Sequence, residues 1–184
     1  MEKNPWVING EKNIYSNPWI SVTEYAVTNP GGGNGIYGKV HFKNIAVGVI
    51  VLDESRNTYL VGQFRFVTDR YSWEIAEGGC PEGADPLESA KRELLEETGL
   101  KAADWQLLLN MHLSNSVSDE WAMVFLATGL TQHEAEPEET EQLTIKKLPF
   151  EEAWQMVENG TITDSMSVAA IIKTKLLLAE GKLK

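Results

Sequence analysis

Residues 78–100 read Gly78-Gly79-Cys80-Pro81-Glu82-Gly83-Ala84-Asp85-Pro86-Leu87-Glu88-Ser89-Ala90-Lys91-Arg92-Glu93-Leu94-Leu95-Glu96-Glu97-Thr98-Gly99-Leu100. Two glycines open the stretch. Asp85, Pro86 and Glu88 then form a helix start, with Asp85 as N-cap, Pro86 in the first helical position and Glu88 closing a capping box. Gly99 stands where a left-handed C-cap is wanted, which predicts a helix over Pro86 to Glu97. At 100° per residue, Glu93, Glu96 and Glu97 share an arc of about 100°. Leu87, Ala90 and Leu94 fill the neighbouring arc and anchor the helix to a core. Three carboxylates on one face repel each other unless a cation sits among them. Hard oxygen ligands without His or Cys favour magnesium, or manganese, over zinc. Taken alone, the helix reads first as a solvated acidic face, the commoner explanation of such a cluster.

Outward from this helix the chain is strand-rich. Ile45 to Leu52 is apolar at nearly every position, as expected of a strand covered on both faces. Ile20 to Val27, Thr58 to Phe66, Tyr71 to Ile75, Trp105 to His112 and Trp121 to Ala127 are further predicted strands. Asn29 to Gly35 is read as a turn or flexible loop. A second helix is predicted from near Pro149 to Asn159-Gly160. A third runs from about Asp164 to Glu180, with a core-facing stripe of Val168, Ile171, Ile172, Leu176 and Leu177. Strands with segregated helices predict a layered α+β fold.

The 184 residues suit one domain, and 42% hydrophobic residues suffice for a core. No apolar run approaches the roughly 20 residues needed to span a bilayer, and the N-terminus lacks signal-peptide features. The single cysteine, Cys80, excludes an intrachain disulfide and a thiolate zinc cluster. The expectation is a cytoplasmic protein without a membrane partner. A net charge of −11 repels polyphosphate backbones, so no nucleic-acid polymer is expected as a partner. An anionic small-molecule substrate would require local positive charge from a cation and arginines.

The segment Gly78 to Leu100 resembles the Nudix box: Gly, five residues, Glu, seven residues, then Arg-Glu-aliphatic-any-Glu-Glu-any-Gly-aliphatic. Every specified position matches except Ala84, where the family has its first glutamate. The resemblance runs from about Tyr15 to Leu178 and includes Ser72-Trp73-Glu74-Ile75. It implies a Nudix fold, an α/β/α sandwich with a mixed sheet (43–184), preceded by an N-terminal antiparallel strand region (1–42). It also implies hydrolysis of a nucleoside diphosphate linked to another group, with Mg2+, or Mn2+, as cofactor.

Residue by residue, the resemblance implies Glu93 and Glu97 as metal ligands, with Glu96 beside them as ligand or water-shell partner. The carbonyl of Glu77 matches a further metal-binding position. Gly78 and Gly79 would let backbone and substrate approach closely. Arg92 would lock helix to loop through an ion pair. Ala84 removes the glutamate that usually supports Arg92; Glu82 or Asp85 could take its place. Gln63-Phe64-Arg65 is similar to a segment of the ADP-ribose and nucleotide-sugar pyrophosphatases in which the arginine meets substrate phosphate. Arg65 also reads as a strand-end residue or ion-pair partner.

Glu120, in Ser118-Asp119-Glu120, is a candidate contact to substrate or metal. Asn115 replaces the proline associated with ADP-ribose preference, which favours a nucleotide sugar more generally. The general base or a further metal ligand is expected in the acidic segment Glu138 to Glu141, with Glu141 first and Glu139 second; the segment also reads as a plain acidic loop. Trp19 and Tyr15 are the N-terminal aromatics to watch, because enzymes of this family form homodimers whose N-terminal strands help build the partner's nucleoside pocket. The expected reaction turns a nucleoside diphosphate sugar into a nucleoside monophosphate and a sugar phosphate. The rivals are an ADP-ribose-specific pyrophosphatase and a non-catalytic nucleotide-binding module.

Overall fold

The computed structural model describes residues 2–135 and 142–183. Its N-terminal part is a three-stranded antiparallel sheet of β1 (Val7–Ser16), β2 (Ile20–Thr28) and β3 (Asn34–Phe42). Two more sheets follow. One takes the order β7-β4-β9-β8 from β4 (Asn44–Val51), β7 (Ala76–Pro81), β8 (Leu100–His112) and β9 (Trp121–Gln132). The other takes the order β10-β5-β6 from β5 (Asn57–Arg65), β6 (Arg70–Glu74) and β10 (Thr144–Pro149). Only β4 and β9 pair in parallel among these strands; every other pairing is antiparallel.

The apolar run over β4 is explained by helices on both faces. Side chains alternate along a strand, so Val47, Val49 and Val51 point into one core with Ala76, Cys80, Ala90, Leu94 and Phe125. Ile50 and Leu52 point into the opposite core with Ile75, Leu126, Phe150, Met166 and Ile171. Helix α1 (Pro86–Thr98) packs on the first side against β7, β4 and β8. Helices α2 (Phe150–Glu158) and α3 (Ser165–Ala179) cover the other. The result is the α/β/α sandwich expected from the sequence.

Local chemistry sets the helix ends. Asp85 caps α1 by accepting from the Leu87 N–H (2.9 Å), Pro86 follows it, and Gly99 closes the helix at φ 70° with its N–H on the Leu95 carbonyl. The expected capping box is not formed; Glu88 pairs with Lys91 at 2.7 Å instead. A long cation one turn away competes well for an exposed carboxylate.

Four strands escaped the sequence reading: β1, β3, β7 and β10. The Asn29–Gly35 segment is tighter than expected. Asn29 Oδ1 accepts from the N–H groups of Gly31 and Gly33, Gly32 takes φ 86°, and β3 has begun by Asn34. Gly78 and Gly79, expected in a loop, lie in β7 opposite Val47 and Ala46 of β4. Glycine is a poor strand former, but here the strand is fixed by its neighbour and a close-lying side chain.

The stripe predicted for α3 is also corrected. Met166, Ser167, Ala170, Ile171 and Thr174 are buried, whereas Ile172 and Leu176 are 39% and 53% exposed. This helix is apolar on most sides, so periodicity selects no face. The small residues Ser167, Ala170 and Thr174 decide it, because they let the helix approach the sheet closely.

Candidate active site

Alternation along β7 aims Ala76, Gly78 and Cys80 at α1, and Ala76 and Cys80 are part of the core on that side. A methyl group added at Gly78 would overlap the Glu93 carboxylate. Glycine is therefore required for a carboxylate to lie flat against the strand. One turn further along α1, Glu97 is 4% exposed, and its Oε2 accepts from the Glu77 N–H at 3.1 Å. The strand thus receives Glu93 and Glu97 at adjoining positions, where the backbone of Glu77 and Gly78 lies beside them.

Arg92 occupies the outer side of this group. Its Nη2 donates to Glu93 Oε1 at 2.5 Å and to the Gly79 carbonyl at 3.2 Å, while Nη1 donates to Glu96 Oε2 at 2.5 Å. Partial burial works against its charge, but Glu93 and Glu96 outweigh that and hold its proton more firmly than usual. The expected ion pair between helix and loop is corrected: the tie to β7 is a bond to a carbonyl, and the ion pairs lie within α1. Ala84 supplies no carboxylate on the loop side, and Asp85 is engaged as the N-cap.

As arranged, no three carboxylates, histidines or cysteines among the described residues converge to cage a metal. The donor set nonetheless fits a hard divalent cation: three carboxylates on one helix face, a strand carbonyl, and a glycine cradle that a Cβ would fill.

A second group of charges surrounds the N-terminus of α3. Arg65 grips Glu74 through Nε (3.0 Å to both oxygens) and Nη2 (2.5 Å). Glu74 is 3% exposed. This pairing is the alternative reading of Arg65, and it holds the guanidinium more firmly protonated, against partial burial. Arg65 still borders a cavity of about 830 Å³ with Arg70, Tyr71, Glu74 and Asp164.

The Glu77 side chain points away from α1. Its Oε1 accepts from Ser167 Oγ at 2.9 Å, and Asp164 lies against it. Burial first, then Asp164 and Glu74, push this carboxyl well above the usual carboxylate range. Glu120 is raised as well, by burial and by the charge of Asp164. The structure therefore gathers Arg65, Glu74, Glu77, Glu120 and Asp164. Asp164 and Ser167 were missed as site residues: Asp164 reads in the sequence only as the start of a helix, and nothing local tells that this helix end meets β7.

Trp19 stands in the turn between β1 and β2, 68% exposed, and among the described residues no hydrogen bond joins it to the carboxylates of α1. Asn115 borders a hollow of about 290 Å³ with Trp6, Tyr25, Tyr37 and Lys39. Glu139 and Glu141 lie outside the described residues.

Comparison with known proteins identifies the family. The NUDIX domain profile matches residues 42–166. The chain belongs to the Nudix family and is a Nudix hydrolase, of the kind that cleaves pyrophosphate bonds. It is 36% identical over 148 residues to an ADP-ribose pyrophosphatase of Mycobacterium tuberculosis, covering 78% of this chain and 70% of that protein. It is 26% identical over 167 residues to the CMP-5'-(N-acetyl-N-hydroxy-3-aminopropyl)phosphonate hydrolase of Streptomyces rubellomurinus, covering 90% and 81% of the two chains. A crystal structure described as an ADP compounds hydrolase superimposes with a TM-score of 0.86 over 100% of both chains, at 19% identity, a likeness of fold.

Proposed function

We propose that this chain hydrolyses the pyrophosphate bond of a nucleoside diphosphate sugar, a nucleotide sugar or ADP-ribose, with Mg2+ (Mn2+ in its place) as cofactor. The products are a nucleoside monophosphate and a sugar phosphate. The observation that carries the reading is the seating of Glu93 and Glu97 side by side on β7, one over Gly78 and one on the Glu77 N–H.

Glu93, Glu97 and Glu96 would hold the cation together with the Glu77 carbonyl. When bound, a divalent cation offsets the charge of the pyrophosphate and acidifies a water. Arg92 keeps helix and strand in register through Gly79, and Gly78 and Gly79 leave room for substrate beside the strand. Arg65 faces the substrate phosphates from the cavity edge with its guanidinium already oriented by Glu74. Glu120 borders the same charges and contacts substrate or metal. Glu141, with Glu139 as second candidate, accepts the proton of the attacking water onto its carboxylate.

The 36% identity to an ADP-ribose pyrophosphatase favours ADP-ribose as the substrate. Asn115, and a further relative named GDP-mannose pyrophosphatase (Shigella flexneri, 25% identical, 62% of this chain and 64% of that protein), favour a broader nucleotide-sugar range.

The N-terminal region 1–42 is proposed to serve dimerisation and to complete the partner's pocket through Trp19. Support comes from its sheet, which exposes Val7, Ile8, Ile14, Tyr15 and Ile36, and from Trp19 exposed in the adjoining turn. A cytoplasmic location is proposed on the sequence features; among the described residues no helix is long and apolar enough to cross a membrane.

The test is a screen of nucleotide sugars, ADP-ribose and dinucleoside polyphosphates with and without Mg2+. Metal-dependent release of a nucleoside monophosphate is expected, and hydrolysis of none of them would sink the proposal. Glu141→Gln should lower kcat far more than it raises KM; unchanged turnover removes Glu141 from the mechanism.

A further inference from the structure

We propose that Ser167 and the carboxyl group of Glu77 are positioning residues, a clasp between α3 and β7 that sets the backbone on which Glu97 rests. The inference builds on the metal reading of Glu93, Glu96 and Glu97 given above. That reading uses the Glu77 carbonyl and assigns no role to its side chain, and Ser167 lies just past the matched residues 42–166.

The geometry is a closed chain of hydrogen bonds across two elements. Ser167 is fully buried, at 0% exposure. Its Oγ accepts from the Ile75 N–H at 2.9 Å and donates to Glu77 Oε1 at 2.9 Å, so the one hydroxyl holds both ends of the Ile75–Glu77 segment. The Ser167 N–H in turn donates to Asp164 Oδ2 at 2.8 Å, which fixes the serine to the cap of α3. On the other side of the same residue, the Glu77 N–H donates to Glu97 Oε2 at 3.1 Å. Ile75 and Glu77 are two positions apart and face α3, while Ala76 and Gly78 face α1.

A hydroxyl has one proton, and here it is committed to Glu77. Alanine at 167 fits the space but leaves the Ile75 N–H and Glu77 Oε1 without their partner, freeing the segment to shift. The Glu97 carboxylate follows that shift because its bond is to the Glu77 backbone. Groups that orient metal ligands without touching the metal typically change its affinity by about 10–100-fold when removed.

The experiment is Mn2+ binding to the substrate-free protein, followed by electron paramagnetic resonance. Wild type, Ser167→Ala, Glu77→Leu, Glu77→Gln and Glu97→Gln are compared, with thermal unfolding of each. Ser167→Ala and Glu77→Leu should weaken Mn2+ binding by about 10–100-fold. Glu77→Gln should recover most of the affinity, since its amide oxygen still accepts from Ser167. At saturating Mn2+, KM for substrate should stay within about threefold of wild type in both weakened variants. Should Ser167→Ala fail to fold, Glu77→Leu against Glu77→Gln decides the matter alone. Wild-type Mn2+ affinity in Glu77→Leu overturns the clasp, and so does equal weakening in Glu77→Gln and Glu77→Leu. If Glu97→Gln weakens binding while Ser167→Ala and Glu77→Leu do not, the clasp alone fails. Absence of Mn2+ binding by the wild type overturns the metal reading and the clasp together.

Discussion

The Glu97 carboxylate, near the end of α1, accepts a hydrogen bond from the backbone N–H of Glu77 in β7 at 3.1 Å. A buried acid is thereby fixed against a strand rather than left on a solvated helix face. Glu97→Gln keeps an oxygen for that N–H and removes the charge. Its kcat should fall by about 10²–10³-fold, the usual effect of removing one preorganised charge stabiliser, with little change in unfolding midpoint. Steady-state kinetics beside a urea melt measures both; a kcat near wild type excludes Glu97 from the metal site.

Gly78 and Glu93 are equally interdependent. In Gly78→Ala the new methyl group meets the Glu93 carboxylate, and one of the two must move. Overpacking of this sort costs about 1–3 kcal/mol. Mn2+ affinity should drop by about 10–100-fold as Glu93 leaves its place. Isothermal titration would detect this, and an unaltered affinity would show that Glu93 is not a ligand.

Arg65 is committed to Glu74, so its loss should be felt in stability as well as in binding. Arg65→Ala strands a nearly buried carboxylate, and a cost of about 1–3 kcal/mol is expected at this partly exposed pair. Adding Glu74→Gln should restore much of the stability while KM stays raised. Denaturant midpoints and KM values for the double-mutant cycle separate the structural from the substrate role. If the double variant regains a normal KM, Arg65 does not meet the phosphate.

Ala84 is exposed on the loop before α1. A glutamate there would compete with Glu93 and Glu96 for Arg92. Ala84→Glu should therefore tighten Mn2+ binding and raise turnover, with stability within about 0.5 kcal/mol of wild type. An unchanged metal affinity would mean that the present pairing of Arg92 already leaves Glu93 and Glu96 available.

Asp53 provides a pH test away from the site. Burial raises its pKa, but Lys147 at 2.7 Å and hydrogen bonds from Asn57 outweigh this and lower it from 3.8 to about 2. The folded value lies below the unfolded one, so the stabilisation is present above about pH 4 and is lost as pH falls through about 2. It amounts to about 1–2 kcal/mol once solvent screening at the exposed lysine is allowed for. Asp53→Asn retains an oxygen for the N–H groups of Ser55 and Asn57. Its unfolding free energy should lie below wild type at pH 6 and converge on it near pH 2; parallel curves would contradict the assignment.

Local sequence was enough for whatever local physics decides. Asp85, Pro86 and Gly99 fix both ends of α1, and the continuous apolar run of β4 implies helices on both sides of its sheet. The same stretch, 78–100, carries the family signature and with it the carboxylate face. Tertiary structure decided where those carboxylates rest and what else meets them. Gly78 and Gly79 join a strand only because β4 supplies the partner, a pairing between positions about thirty apart. Arg65 finds Glu74 across a hairpin, and Asp164 and Ser167 reach Glu77 from a distant part of the chain, Ser167 from 90 residues away. No periodicity within a helix records such meetings, since the choice of buried face on α3 depends on how closely Ser167, Ala170 and Thr174 let it approach the sheet. The carboxylate face is thus written in one short stretch, while the hold on that face is set by chain segments that only the fold brings together.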